Sequence, residues 1–168
     1  SHCCEKAISS ILSNFDRQYI LGSDYHLWYS KDRYIARFFR EKMGLPCRYL
    51  PHGCDPDLHR PVELTEADRR RYGCDLTTAA NLYYYRARML EPFRGYDLKI
   101  WGNMPRWLDS PMRDKRPGEL VFGLEKSKAF RAAKIVLNTM HFAEIEGVNQ
   151  RTFDAAGCGA FQLVDENP

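Results

Sequence analysis

No apolar run in the chain approaches the roughly 20 residues that a membrane span requires, so nothing in it reads as a transmembrane helix. The first residues, Ser1-His2-Cys3-Cys4-Glu5-Lys6, lack the basic-then-apolar pattern of a secretory leader. They also lack an initiator methionine, so a leader further upstream is not excluded. The six cysteines, at positions 3, 4, 47, 54, 74 and 158, form no Cys-x-x-Cys pair and no comb with histidine, which argues against a zinc site. Their spacing is not that of a disulfide framework either. Free thiols in a reducing compartment, and hence the cytoplasm, are the expectation. Neither sign of charge dominates: 25 Lys and Arg stand against 22 Asp and Glu, scattered along the chain, which gives no case for nucleic acid or a membrane surface. The densest basic run, Arg69-Arg70-Arg71, follows Glu66 and Asp68 and reads as a solvated helix face. Internal repeats and low-complexity segments are also missing.

What remains is 168 residues of ordinary globular composition, enough for one sizeable domain or for one domain and a piece of another. Residues 5–13 have the pattern of a short amphipathic helix. Residues 25–29 read as a buried strand. Ser30 is placed as N-cap of a helix over 31–43, where Tyr34, Ile35, Phe38, Phe39 and Met43 recur at helical spacing and Gly44 supplies the stop. With a second strand at 47–50 this makes a βαβ unit and implies parallel pairing. The stretch 51–61 holds three prolines and a glycine and reads as a rigid connector between domains. Beyond it, Thr65 and Asp68 form a capping box for a helix that ends at Gly73. Strands at 76–80, 96–101, 120–122, 135–137 and 161–164 then alternate with helices at 83–93, 124–133 and after residue 149. That alternation is the signature of an α/β fold with a doubly wound, mostly parallel Rossmann-like sheet. Ligands of such sheets sit beyond the carboxyl ends of the strands, and the polar turns 78–81, 101–103, 122–124 and 138–149 all fall there.

The densest chemistry lies in the last of these turns, Glu144-Ile145-Glu146-Gly147-Val148-Asn149-Gln150-Arg151-Thr152-Phe153-Asp154. A helix start presents unpaired backbone N–H groups and the positive end of a dipole, and so suits an anion. Gly147, Val148 and Asn149 supply amides that a bulky side chain at 147 would obstruct. Arg151 in the first helical turn opposes the dipole unless an anion is bound. Two readings stay open for it, a phosphate contact and an ion pair with Glu144 or a surface acid. Glu146 and Asp154, seven residues between them, flank this start. Each has an ordinary alternative, as a solvated loop acid and a helix acid respectively.

Several stretches, in order, resemble the GT-B glycosyltransferases. Leu50-Pro51-His52-Gly53-Cys54-Asp55 resembles their interdomain connector, and Leu98-Lys99-Ile100-Trp101-Gly102 their next strand and glycine. The stretch from Gly123 to Asn138 is similar to the helix and strand that follow. Glu146 with Asp154 matches the family's E-x7-E element, with Asp at the second place. The wording "LPHGCDPDLHRP", "YDLKIWGN" and "GVNQRTFDAAGCGAFQLVDE" most resembles the spore maturation protein CgeB type, within the wider glycosyl transferases group 1.

The resemblance implies that residues 1–51 are the tail of an N-terminal acceptor domain and 52–168 a nucleotide-sugar domain lacking its last helices. It implies a retaining hexosyltransferase that uses a nucleotide diphosphate sugar as co-substrate, needs no metal or other cofactor, and acts on a sugar, protein or lipid acceptor. A chain of this extent is expected to be inactive alone. Glu146 is then the catalytic-site acid on the sugar hydroxyls and Asp154 the ribose contact. Gly147, Val148, Asn149, Arg151 and Thr152 hold the diphosphate, with Arg86 and Asn81 on the opposite wall. The family has a glycine where this chain has Ala79-Ala80-Asn81, which limits backbone approach from that side. Arg86, Lys126 and Lys128 each have a solvated-helix alternative, and His52 reads as hinge packing before it reads as a base. A non-catalytic nucleotide-binding module is the rival function. A response-regulator-like domain is disfavoured, because no acidic pocket follows the strand at 76–80.

Overall fold

The computed structural model describes residues 24–141 and 144–166. The helix expected over 5–13 lies outside them. The chain divides into two compact units. One comprises the described residues of Ser1–His52, Met140–Asn149 and Glu166–Pro168; the other is Gly53–Thr139 with Gln150–Asp165.

The first unit holds β1 (Trp28–Ser30), α1 (Arg33–Lys42) and β2 (Cys47–Tyr49). β1 and β2 pair in parallel, Trp28 opposite Cys47 and Ser30 opposite Tyr49, as a βαβ connection requires. The expected strand at 25–29 is shorter and less buried than its aromatic run suggests: Tyr25 and Tyr29 are more than half exposed. The helix begins two residues later than expected, and its N-cap is Asp32, whose Oδ1 accepts from Ile35 N at 3.1 Å. Ser30 instead accepts from the Asp32 amide, at 3.1 Å. Gly44, at φ +67°, lets the chain leave the helix through the left-handed region. Ala36, Phe39, Met43, Leu45 and Cys47 make this unit's core, with the Trp28 ring edge-on to Phe39.

In the second unit α2 (Glu66–Tyr72) carries the expected capping box: Thr65 Oγ1 accepts from Asp68 N, and Asp68 accepts from Thr65 N. The elements that follow are β3 (Cys74–Thr78), α3 (Tyr84–Leu90), β4 (Leu98–Ile100), α4 (Gly123–Ala132), β5 (Ala133–Asn138), α5 (Gln150–Gly157) and β6 (Gln162–Val164). Single 3-10 turns occur at Glu91–Phe93 and Pro111–Lys115. The four strands run parallel in the order β4-β3-β5-β6. On one face, Leu82, Ala87 and Leu90 of the α3 region pack with Leu76, Leu98, Ile100 and Leu137. On the other, Tyr72, Ala129, Phe130, Ala155 and Cys158 from α2, α4 and α5 pack with Trp101, Val121 and Val136. Helices on both faces of a parallel sheet make this the expected doubly wound, Rossmann-like α/β fold.

One expected strand does not form. Residues 120–122 are irregular and pair with none of the four strands, although the outer edges of β4 and β6 carry no further strand among the described residues. Val121 is buried in the core while Phe122 projects, 71% exposed, as the N-cap residue of α4. No helix among the described residues is long and apolar enough to cross a membrane. Cys47, Cys54, Cys74 and Cys158 are free thiols.

Candidate functional site

In the second unit, α3 leaves β3 on one face of the sheet and α4 enters β5 on the other. The chain connects β3 to β4 on one side and β5 to β6 on the other, so its winding reverses between β3 and β5. Gly102 lets the loops after β3 and β4 meet. A methyl group at residue 102 would lie 1.8 Å from Ala80 O, so only glycine lets the two loops touch. They are stitched by Leu82 N to Asn103 O at 2.7 Å and by Asn103 N to the Asn81 side-chain oxygen at 3.0 Å. Trp101 is fixed from behind, its indole N–H donating to Thr77 Oγ1 at 3.1 Å while Thr77 donates to Lys99 O. The resulting pocket holds about 250 Å³ and is lined by Ala79–Asn81, Trp101, Asn103, Leu120–Phe122 and Lys126. Its walls are apolar, aromatic or amide, and Lys126 is the charged side chain lining it among the described residues.

Behind Lys126 lies a buried polar cluster. The Lys126 ammonium is paired with Asp154 Oδ2, and Asp154 has no exposed surface. Asp154 Oδ1 accepts from Gln150 Nε2 at 2.9 Å, with His59 Nδ1 3.5 Å away. Gln150 also donates to Gly53 O. The 53–59 segment is pressed onto the end of α5, where a side chain at Gly157 would come within 2.6 Å of His59 O. Ser127 Oγ closes the arrangement by donating to Leu58 O at 2.5 Å. A wholly buried carboxylate is retained only when paired and hydrogen-bonded, and Asp154 meets both conditions inside the protein.

The two arginines expected at the phosphates converge on Thr139, just past β5. Arg86, 8% exposed, donates through Nε to Thr139 Oγ1 at 3.0 Å and through Nη1 to Asn81 O at 2.6 Å, with its guanidinium over the Tyr83 ring. Arg151, equally buried, donates to Ala79 O at 3.1 Å, Asn138 Oδ1 at 3.0 Å and Thr139 O at 3.5 Å. Thr152 Oγ1 accepts from Asn138 Nδ2 at 2.9 Å. Asn81, Arg86, Arg151, Thr152 and Asp154 thus all belong to the second unit, and the first four surround the carboxyl ends of β3 and β5.

Glu146, Gly147, Val148 and Asn149 fall in the first unit. There Asp32, 1% exposed, accepts from the Ile145 and Glu146 amides at 2.6 and 2.9 Å while capping α1. Gly147 is needed for this packing, since a Cβ on it would lie 2.9 Å from Lys31 O. Glu146 pairs with Arg37 through both carboxylate oxygens, at 2.7 and 3.3 Å, and Glu144 pairs with Lys31. Val148 and Asn149 are half-buried.

Sequence reasoning did not single out Asp32, His59, Asn138, Thr139 or the pocket-lining role of Phe122 and Lys126. For Asp32 there was a signal, an Asp directly before a helical apolar pattern. His59 and Thr139 gave none, because their roles depend on strand order. Among the described residues no three His, Cys, Asp or Glu side chains converge as metal ligands would.

Residues 86–168 match the family model described as "Glycosyl transferase-like". A search of curated proteins finds no match to the chain. The match spans α3 through β6, including Arg86, Lys126, Arg151 and Asp154. It supports a glycosyltransferase family and glycosyl transfer as the general chemistry.

Proposed function

We propose that the second unit binds the nucleotide part of a nucleotide-sugar donor, and that the protein is the donor-binding portion of a metal-independent, retaining hexosyltransferase of the GT-B, CgeB-like kind. The observation that carries the reading is the pocket at the carboxyl ends of β3 and β4, where Gly102 lets the two loops meet, walled by aromatic, apolar and amide groups. These surfaces suit a planar heterocycle carrying hydroxyls. The Arg86 and Arg151 guanidiniums nearby give the strand ends a positive field that favours an attached diphosphate. Breakdown of the donor leaves negative charge on that diphosphate, and fixed cations and dipoles stabilise it without rearrangement. The retaining outcome, the hexose and the role of Glu146 on the sugar follow from the resemblance alone. The acceptor is a sugar, protein or lipid.

Titration with a nucleoside and its diphosphate tests this. The diphosphate should bind more tightly, the gap should narrow with added salt, and a chelator should leave both curves unchanged. Arg151→Ala should erase most of the gap. Arg151→Lys should keep much of it, which separates lost charge from the lost contacts to Ala79 and Asn138. Superimposable curves for nucleoside and diphosphate would sink the reading, and a strict need for Mg²⁺ would sink its metal-independent form. A second reading, a nucleotide-binding module without catalysis, is favoured by the pairing of Glu146 with Arg37 and of Asp154 with Lys126. Clear binding with no hydrolysis across a panel of nucleotide sugars would select it.

A further inference from the structure

We infer that Lys126, and not Asp154, is the residue that meets the ribose of the bound nucleotide, with Asp154 acting as the positioning residue that holds the lysine. The inference rests on the donor reading above. A carboxylate recognises a vicinal diol by accepting from its hydroxyls, which requires an accessible oxygen. Asp154 offers none: its exposure is 0%, with Lys126 on one oxygen and Gln150 and His59 on the other. Lys126 lines the pocket and its side chain is 18% exposed. An ammonium has three N–H donors, and the contact with Asp154 uses one. Its Nζ lies over the Phe130 ring, 5.6 Å from the centroid, and against Asp154, and these two contacts give the head a defined direction.

The pocket's chemistry decides which part of the nucleotide this head meets. The ion pair with Asp154 is formally neutral, so the lysine is a poor partner for a doubly charged phosphate and a good directional donor to a hydroxyl oxygen. Recognition of the diol is thereby turned from acceptance by a carboxylate to donation by an ammonium. Asp154 contributes by fixing where the donor points, and it is itself clamped by Gln150 Nε2 and by the 53–59 segment pressed against Gly157. Asp154→Asn keeps an oxygen for Lys126 and should leave ribose recognition in place.

The test uses the 168-residue chain and the ribonucleoside diphosphates of the four common bases beside their 2′,3′-dideoxy forms. The tightest ribonucleotide and its nucleoside are carried forward. Wild type should favour the ribose form by about tenfold or more, as a hydrogen bond to a charged group implies. The double variant Lys126→Met, Asp154→Asn, which leaves no buried charge unpaired, should bind ribose and dideoxy forms alike. It should also weaken nucleoside and nucleoside diphosphate by the same factor. Asp154→Asn alone should keep the ribose preference within about threefold of wild type. The assignment is overturned if Asp154→Asn alone abolishes the preference, if the double variant retains it, or if the double variant weakens only the diphosphate. Wild-type binding to none of the four diphosphates would instead remove the donor reading, and this assignment with it.

Discussion

Replacing Gly102 with alanine should unseat the pocket from the inside. The added carbon would lie 1.8 Å from Ala80 O and 2.4 Å from Ala80 C, where real Cβ atoms do not come under 3.0 Å. Both neighbours are backbone, so no side chain can swing aside, and the β3 and β4 loops must part by roughly 1 Å in a close-packed surrounding. That movement breaks or lengthens the bonds from Leu82 N to Asn103 O and from Asn103 N to the Asn81 side chain. Overpacking of this kind costs about 1–3 kcal/mol and the loss of one of the two hydrogen bonds about 1 kcal/mol more, so the total is roughly 2–4 kcal/mol. At about 2–4 °C per kcal/mol for a chain of this size, the Tm should fall by roughly 5–15 °C in a circular dichroism melt. Nucleotide affinity should fall with it, since the pocket walls on both sides move. Gly95→Ala is the control, because nothing lies within 4 Å of its added carbon. It should melt at or slightly above wild type. A Gly102→Ala protein that melts within 2 °C or so of wild type and binds nucleotide normally would refute the account of how the pocket is built.

Stability should also depend on pH at both ends of the range. The Tyr72 hydroxyl and the Lys128 ammonium hold Glu125 below the usual carboxylate range, and the Thr65 hydroxyl and amide do the same for Asp68, with help from Lys128. The unfolded chain therefore binds more protons in acid, so this contribution is complete above about pH 4–5 and is lost as pH falls through the lowered folded values. Burial pushes Tyr72 up to about 12 and Cys74 up to about 11, so their contribution is complete below the ordinary values and is lost as pH rises towards 11 and 12. Melts from pH 3 to 11 should show a plateau with both shoulders, and Tyr72→Phe should remove the part of the alkaline fall that Tyr72 contributes. A flat profile above pH 9 would contradict this. In the first unit, Asp32→Ala leaves the Ile35, Ile145 and Glu146 amides without their shared acceptor, at about 1–3 kcal/mol for each buried one. Hydrogen exchange at Ile145 and Glu146 should accelerate by at least tenfold or so, and unchanged protection there would show that Asp32 does not hold the loop.

The fold was largely legible because its signals are local and agree with one another. The Thr65–Asp68 box, the helical recurrence in α1 and the glycines at 44 and 73 fix element ends through neighbours in sequence. Leu120-Val121-Phe122 misled for a definite reason. An apolar triplet between turn residues has the pattern of a buried strand, yet whether it pairs depends on where it falls relative to a sheet whose order sequence does not state. Ser30 and Asp32 are both good caps two residues apart, and the choice fell to Asp32 because the same carboxylate also receives the amides of Ile145 and Glu146, more than a hundred residues away.

The candidate site shows the same division more sharply. Arg86, Arg151 and Asp154 were marked by residue type; the two arginines lie at the strand ends, and Asp154 is buried between α4 and α5. Their surroundings were not readable, because each is set by a residue distant in the chain: Thr139 for Arg86, Ala79 and Asn138 for Arg151, Lys126 for Asp154. An acid with seven residues between it and another acid is the same string of letters whether it faces a sugar or a lysine. What separates the two is burial. A carboxylate with no exposed surface must be answered from within the protein, since leaving it unpaired costs several kcal/mol. Once Lys126 supplies that answer from α4, the charge on α5 is spent and the chemistry offered to the pocket becomes that of the lysine. On the donor reading proposed above, what the site offers a ligand is thus set by the pairing of two helices, α4 and α5, and by no single stretch of sequence.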